Sequence, residues 1–209
     1  MTVYTVGHST RTVDELVGVL RAVGVELLVD IRTVPRSRHN PQHDREALPA
    51  ALAPSGIAYL HLGALGGLRR PRADSPNVGW RNASFRGYAD YLATPEFEAG
   101  IAALLERARA HRTAVMCAEA VPWRCHRSLL ADALVVRGVP VVHLLSRSSA
   151  QPHRLTPWAR VEGTALTYPE EGRAGQTSLA DPRWRPAEGR RSPAGPSHRG
   201  GPGAGAGGG

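Results

Sequence analysis

The sequence predicts an α/β fold: a mostly parallel sheet of about five strands with helices on both faces, a Rossmann-like three-layer sandwich. Short β-branched runs alternate with longer amphipathic stretches, and the pieces repeat as strand–helix–strand units. Such units join parallel strands through crossovers, which are right-handed. Ligands of these sheets bind outside the carboxyl ends of the strands.

Val3–Val6 is a short apolar strand ending at Gly7-His8-Ser9. In residues 12–23, Val13, Leu16, Val17, Leu20 and Val23 recur at helical spacing. Thr12 and Glu15 form a capping-box pair at its start, and Gly24 supplies the stop. Residues 25–31 (VELLVDI) read as a buried strand ending at Arg32, followed by a loop punctuated by Pro35 and Pro41. Residues 44–53 read as a shorter helix closed by Pro54-Ser55-Gly56, and 57–62 as a third strand. A long Gly-, Pro- and Arg-rich loop spans 63–84, a length usual for functional or unordered loops. Helices are expected over 85–92 and 96–110, with Pro95 in the first turn of the second. A fourth strand over 113–117, a helix over 125–137 and a fifth strand over 139–145 complete the pattern. Beyond Ser146 the periodicity fades, though Trp158, Leu166 and Tyr168 are candidates to cover the core.

At 209 residues and 42% hydrophobic, the chain suits one domain, 1–171, with a tail over 172–209. That tail ends in SPAGPSHRGGPGAGAGGG, which is too poor in apolar residues to order itself. The formal charge is +8, and every Lys/Arg position is arginine. Six arginines and two acids lie after Gly172, leaving a mildly basic remainder that permits nucleic-acid binding without demanding it. The two cysteines form no disulfide framework. The opening MTVYTVGHST does not read as a signal peptide, and no apolar run suits a membrane span, so a cytoplasmic protein is expected.

Three polar clusters fall where strands should end. In Gly7-His8-Ser9-Thr10, a glycine lets the backbone turn and present the next residues, or the loop is an ordinary strand-to-helix connection. In Asp30-Ile31-Arg32, period-two alternation puts Asp30 and Arg32 on the same side. They can form a structural ion pair, or Arg32 can clamp an anion with Asp30 as orienter or general base. The densest cluster runs from Cys117 to Arg127 and holds Cys117, Glu119, Arg124, Cys125, His126 and Arg127. Cys125, His126 and Arg127 are expected in a helix's first turn, where the dipole favours anions and lowers a thiol's pKa.

Sharper readings of this cluster fail on spacing. Cys117, Cys125 and His126 match no finger or ribbon pattern, so no metal ligand is assigned. The stretch from Cys117 to Arg124 is one residue too long for a phosphatase loop and lacks glycines, and Glu119 would repel phosphate. His39, His43, His61 and His143 stand alone. Trp80, Phe85, Tyr88 and Tyr91 follow the arginine-rich loop as core residues or as a stacking surface.

Together the motifs GHST, VDIR followed by PRS, LGG, FRGYADYL and CAE…CHR resemble the prokaryotic domain of unknown function 488 family, from about Val3 to Leu145. The resemblance implies an α/β fold whose polar motifs converge on one site, and no settled activity. It marks His8, Ser9, Asp30, Arg32, Ser37, Cys117, Glu119, Cys125, His126 and Arg127 as motif residues.

The leading functional expectation is an enzyme, of hydrolase type, acting on a phosphate-bearing nucleotide, nucleoside or nucleic acid. Arg32, Arg127 and helix amides would hold phosphate, with Ser9 and Ser37 beside them as substrate contacts. Glu119 would serve as nucleophile or base, and His126 or His8 as acid–base partner. N-glycosidic hydrolysis suits that set. The second expectation is a thiol-dependent transferase using Cys117 or Cys125. The contrasting class is a non-catalytic nucleic-acid or nucleotide binder using the arginine loop and tail, and a scaffold with a vestigial site is a third. No cofactor is expected.

Overall fold

The computed structural model describes residues 1–170, so the expected unordered tail lies outside the described residues. Strands β1 (Val3–Gly7), β2 (Leu27–Asp30), β3 (Ala58–His61), β4 (Thr113–Cys117) and β5 (Val141–Leu144) are parallel to their neighbours, in the order β3-β2-β4-β1-β5. Helices α1 (Val13–Arg21), α2 (Leu48–Leu52), α3 (Ala83–Tyr91), α4 (Pro95–Ala110) and α5 (Arg127–Val135) connect them. The α/β three-layer expectation holds.

Beyond the five parallel strands, β6 (Ala150–Pro152) adds antiparallel to β5 as a sixth strand of the main sheet. It is three exposed residues ending in proline, which an edge strand tolerates and a hydrophobic pattern does not reveal. A separate hairpin joins β7 (Arg160–Glu162) to β8 (Ala165–Thr167).

Local chemistry explains the helix ends. Thr12 Oγ1 accepts from Glu15 N–H at 3.1 Å while the Glu15 carboxylate accepts from Thr12 N–H at 2.8 Å, a complete capping box. Thr94 caps α4 with Pro95 in its first turn. The helix expected over 44–53 shrinks to α2, since Pro49 is tolerated only within a first turn. The helix expected from Cys125 instead starts at Arg127. Pro122–Arg124 form a short 3₁₀ turn and Cys125 is extended (φ −136°, ψ 148°).

Strand residues divide by parity between two cores. Val6, Leu28, Ala114, Met116 and Leu144 pack with Leu16, Val19 and Leu20 of α1 and Leu48 and Leu52 of α2. Val3, Leu27, Val29, Val115, Cys117 and Val141 pack with α3, α4 and α5, and Trp158, Leu166 and Tyr168 join them. Tyr88 and Tyr91 are core residues as well.

The register sets the strand exits level. Gly7 pairs with Cys117, Asp30 with both Met116 and His61, and Val6 with Leu144. Adjacent parallel strands β1 and β4 send their following helices, α1 and α5, to opposite faces, so the sense in which the connections cross the sheet reverses between them. That crevice is where open α/β sheets place ligands.

Candidate functional site

The two exits at the crevice are tied together: His8 N–H donates to Cys117 C=O at 3.0 Å and Ser9 N–H to Ala118 C=O at 2.8 Å. Ser9 holds the left-handed region at φ 49°, an uncommon conformation for a residue with a Cβ. Gly7 is required for close approach. A Cβ there would lie 1.8 Å from the Glu119 carbonyl oxygen and 2.9 Å from Arg127 Nη2.

The sheet divides the polar residues into two chambers on its two faces. On the α1/α2 side, Asp30 lies fully buried beneath Arg32, which is 6% exposed. Arg32 Nε–H donates to both Asp30 oxygens at 2.9 and 3.1 Å, and Nη2 to Asp30 Oδ2 and the His43 carbonyl, each at 2.6 Å. Tyr59 O–H donates to Asp30 Oδ2 at 2.8 Å. Ionic partners that share two parallel contacts are the strong ones.

His8 completes this chamber. Its Nδ1 faces the Ser9 carbonyl at 2.9 Å, which only accepts, so Nδ1 carries the hydrogen. Nε2 is then the lone pair that meets Arg32 Nη1 at 3.2 Å. Burial pushes the His8 pKa down to about 4, with neighbouring His43 and Arg32 adding to the effect. His8 is therefore neutral, and its basic nitrogen is occupied. His43 stacks on it with ring centres 4.4 Å apart.

On the α3–α5 side, β4 ends in Cys117, and the 118–126 loop returns to set Cys125, His126 and Arg127 beside it. His126 Nδ1 lies 3.9 Å from Cys117 Sγ and 3.7 Å from Cys125 Sγ. Arg127, 1% exposed, donates from Nε to Cys125 Sγ at 3.4 Å and from Nη2 to the Glu119 carbonyl. Among the described residues no carboxylate lies within ion-pair distance of Arg127. Cys125 is pushed well below the usual thiol range, chiefly by the Cys117 S–H, with His126 and Arg127 adding. Cys117 is pushed up by Cys125 and by burial. Perturbed groups of this kind concentrate at working sites.

Behind Arg127 runs a buried polar chain. Thr5 Oγ1 meets His143 Nδ1 at 2.7 Å, His143 Nε2 meets His153 Nδ1 at 2.9 Å, and His153 Nε2 meets Asp132 Oδ1 at 2.8 Å. Asp132 also accepts from Thr156 N–H and Tyr168 O–H, each at 2.9 Å. Burial pushes His143 down to about 3.

Residues 12–134, more than half of the chain, match the family described as domain of unknown function DUF488. The chain belongs to the DUF488 family. No curated protein and no solved structure matches it.

In this DUF488 chain the fold brings His8, Asp30 and Arg32 into one chamber and Cys117, Cys125, His126 and Arg127 into the other. Glu119 is exposed and joins the second chamber through its main-chain carbonyl. Ser37 sits apart, its N–H donating to Asp44 and its Oγ accepting from Asn40 N–H. Four residues that the sequence reading did not assign complete the chambers: His43, Tyr59, Asp132 and His153. An acid inside the apolar LLADALVV helix was the one visible signal among them. No helix among the described residues is long and apolar enough to cross a membrane.

Proposed function

We propose that this DUF488 chain is a thiol-dependent enzyme whose nucleophile is the Cys125 thiolate. The observation that carries this is Arg127: a buried guanidinium, without a carboxylate in reach among the described residues, aimed at Cys125 Sγ. An unpaired buried ion costs several kcal/mol, and a thiolate is the nearest group able to offset it. Cys125 lies one residue ahead of His126, the N-cap of α5, so the helix dipole acts in the same sense.

The chemistry this supports is nucleophilic group transfer. The Cys125 sulfur attacks an electrophilic centre, the bond to the leaving group breaks, and Cys117 S–H gives its proton to that group. Cys117 holds the charge near Arg127 until an acceptor attacks the adduct; the Cys125 sulfur then leaves as thiolate and the acceptor's proton returns to Cys117. The His8–Asp30–Arg32 chamber serves as the rigid floor of the crevice on the opposite face.

A phosphate clamp is less well supported. Arg32 spends its donors on Asp30, His8 and the His43 carbonyl, and Arg127 faces Cys125 and the Glu119 carbonyl. A phosphate would have to displace those partners, and the Glu119 carboxylate is not in the chamber.

Brief labelling of the reduced native chain with iodoacetamide at neutral pH, mapped by peptide mass, tests the proposal. Cys125 should be modified ahead of Cys117, and Arg127→Met should abolish the preference. Labelling of Cys117 first, or of neither thiol while the urea-unfolded chain labels fully, contradicts it.

A further inference from the structure

We propose that Cys117, Cys125 and His126 also bind one thiophilic d¹⁰ metal ion of the Zn(II) class, which holds the thiol pair out of reaction while it is bound. The inference rests on the thiol reading in one respect, since it takes the Cys125 thiolate as a donor.

Distance is the first argument. The two Sγ atoms and His126 Nδ1 all lie within 4.8 Å of one another, and the sulfur–nitrogen separations are 3.7 and 3.9 Å. With metal–sulfur bonds of about 2.3 Å and metal–nitrogen bonds of about 2.0 Å, those edges would be about 3.5 Å in a tetrahedron and about 3.7 Å in a trigonal plane. Both sulfur–nitrogen edges therefore already stand at nearly the separations a shared ion requires. Spacing along the chain hid this, because the 118–124 loop folds back to bring Cys125 and His126 onto the strand end.

Space is the second argument. A Cβ on Gly67 would lie 2.3 Å from His126 Nδ1 and 2.6 Å from its Cγ, over the ring face, so only a glycine packs there without pushing the imidazole away from the two sulfurs. The third argument is His126 itself. Its Nδ1 points between two sulfurs while Nε2 is buried without a partner, so no competing contact fixes the ring the other way. The ring is held in place by Tyr88, 4.9 Å away between centres.

The donor set selects the ion. Two sulfurs and an imidazole suit soft or borderline cations and disfavour Mg(II) and Ca(II), which take oxygen. Two thiolates neutralise a divalent ion, and the Arg127 Nε–H remains as an outer donor to the Cys125 sulfur. Among the described residues no fourth protein donor joins the set, which leaves one coordination position open. Loading the ion displaces the Cys117 thiol proton to solvent.

Metal-free, reduced full-length chain titrated with Zn(II) against a chromophoric chelator tests the proposal, with Co(II) reporting thiolate ligation by its visible bands. One equivalent should bind, raise Tm, and slow labelling of Cys125. Cys117→Ser, Cys125→Ser and His126→Ala should each weaken binding at least about tenfold, a loss that surface histidines would not produce. Absence of stoichiometric uptake and of cobalt–thiolate bands in the unmutated chain overturns the proposal without reliance on any variant. Uptake unchanged in all three variants overturns it equally. If uptake fails while Cys125 still labels first, the metal proposal alone falls; if both fail, the thiol reading falls with it.

Discussion

Arg127 donates from Nε to Cys125 Sγ across 3.4 Å, in surroundings that leave the guanidinium almost wholly dry. Exchange of the sulfur for an oxygen that stays protonated removes the counter-charge and keeps the shape. Cys125→Ser should therefore destabilise the reduced chain by about 2–3 kcal/mol more than Cys117→Ser, measured by urea unfolding. Equal losses would mean that Arg127 does not depend on a charged sulfur.

Asp30 and Arg32 offset each other on the opposite face. Asp30→Asn leaves a buried guanidinium without its carboxylate and should cost about 3–5 kcal/mol. In the fraction that stays folded, the labelling order of Cys125 and Cys117 should not change, because the sheet lies between the chambers. Loss of that order would mean that the two chambers act as one site.

Acid should weaken the fold through His8 and His143. Their folded pKa values, about 4 and about 3, lie below the ordinary histidine value of 6.5. Between those limits the unfolded chain binds more protons, so stability is full above pH 6.5 and falls as pH drops toward 4. Protonation of His8 would also set an N–H against Arg32 Nη1. The fall of Tm over this window should flatten in His8→Gln and again in His143→Gln; an unchanged slope in both would contradict the neutral assignments.

Gly7→Ala should disturb the thiol chamber from a distance. The new Cβ meets a carbonyl oxygen rather than the end of a flexible side chain, so the Glu119 loop or β1 must shift. We expect a loss of at least about 2 kcal/mol and a weakened preference for Cys125 in labelling. Gly138→Ala, at φ 75° with no atom in reach of its Cβ, should cost stability and leave that preference intact.

Asp132 fastens the segment after β5 to α5 through His153, Thr156 and Tyr168. Tyr168→Phe should cost about 1–2 kcal/mol and raise hydrogen exchange over residues 150–168 more than in β1–β4. Uniform protection across the chain would show that Asp132 is not the fastening point.

Much of this was legible in local chemistry. The Thr12–Glu15 box, Pro95 in the first turn of α4, and the same-side placement of Asp30 and Arg32 each follow from spacing over a few residues. The common edge follows from parallel strands. The split into chambers does not, because strand parity matters across the sheet: Cys117 lies one register step beyond Met116, the partner of Asp30, and so faces the other way. Cys125 and His126 were expected inside a helix, and only the extended backbone at Cys125 turns its sulfur toward Cys117. Glu119 looked chemical by its company, yet the loop uses its carbonyl. Tyr59 and His43 carry no signal singly; their roles exist once Asp30 and Arg32 are buried beside them.

The most direct measurement is a count of thiolates by ultraviolet absorbance in the reduced, metal-free native chain at pH 7, against the same chain unfolded. One thiolate should be present natively, retained in Cys117→Ser and lost in Cys125→Ser. A native spectrum without thiolate, or one whose thiolate survives loss of the Cys125 sulfur, would contradict the pairing of Arg127 with Cys125 on which the functional proposal stands.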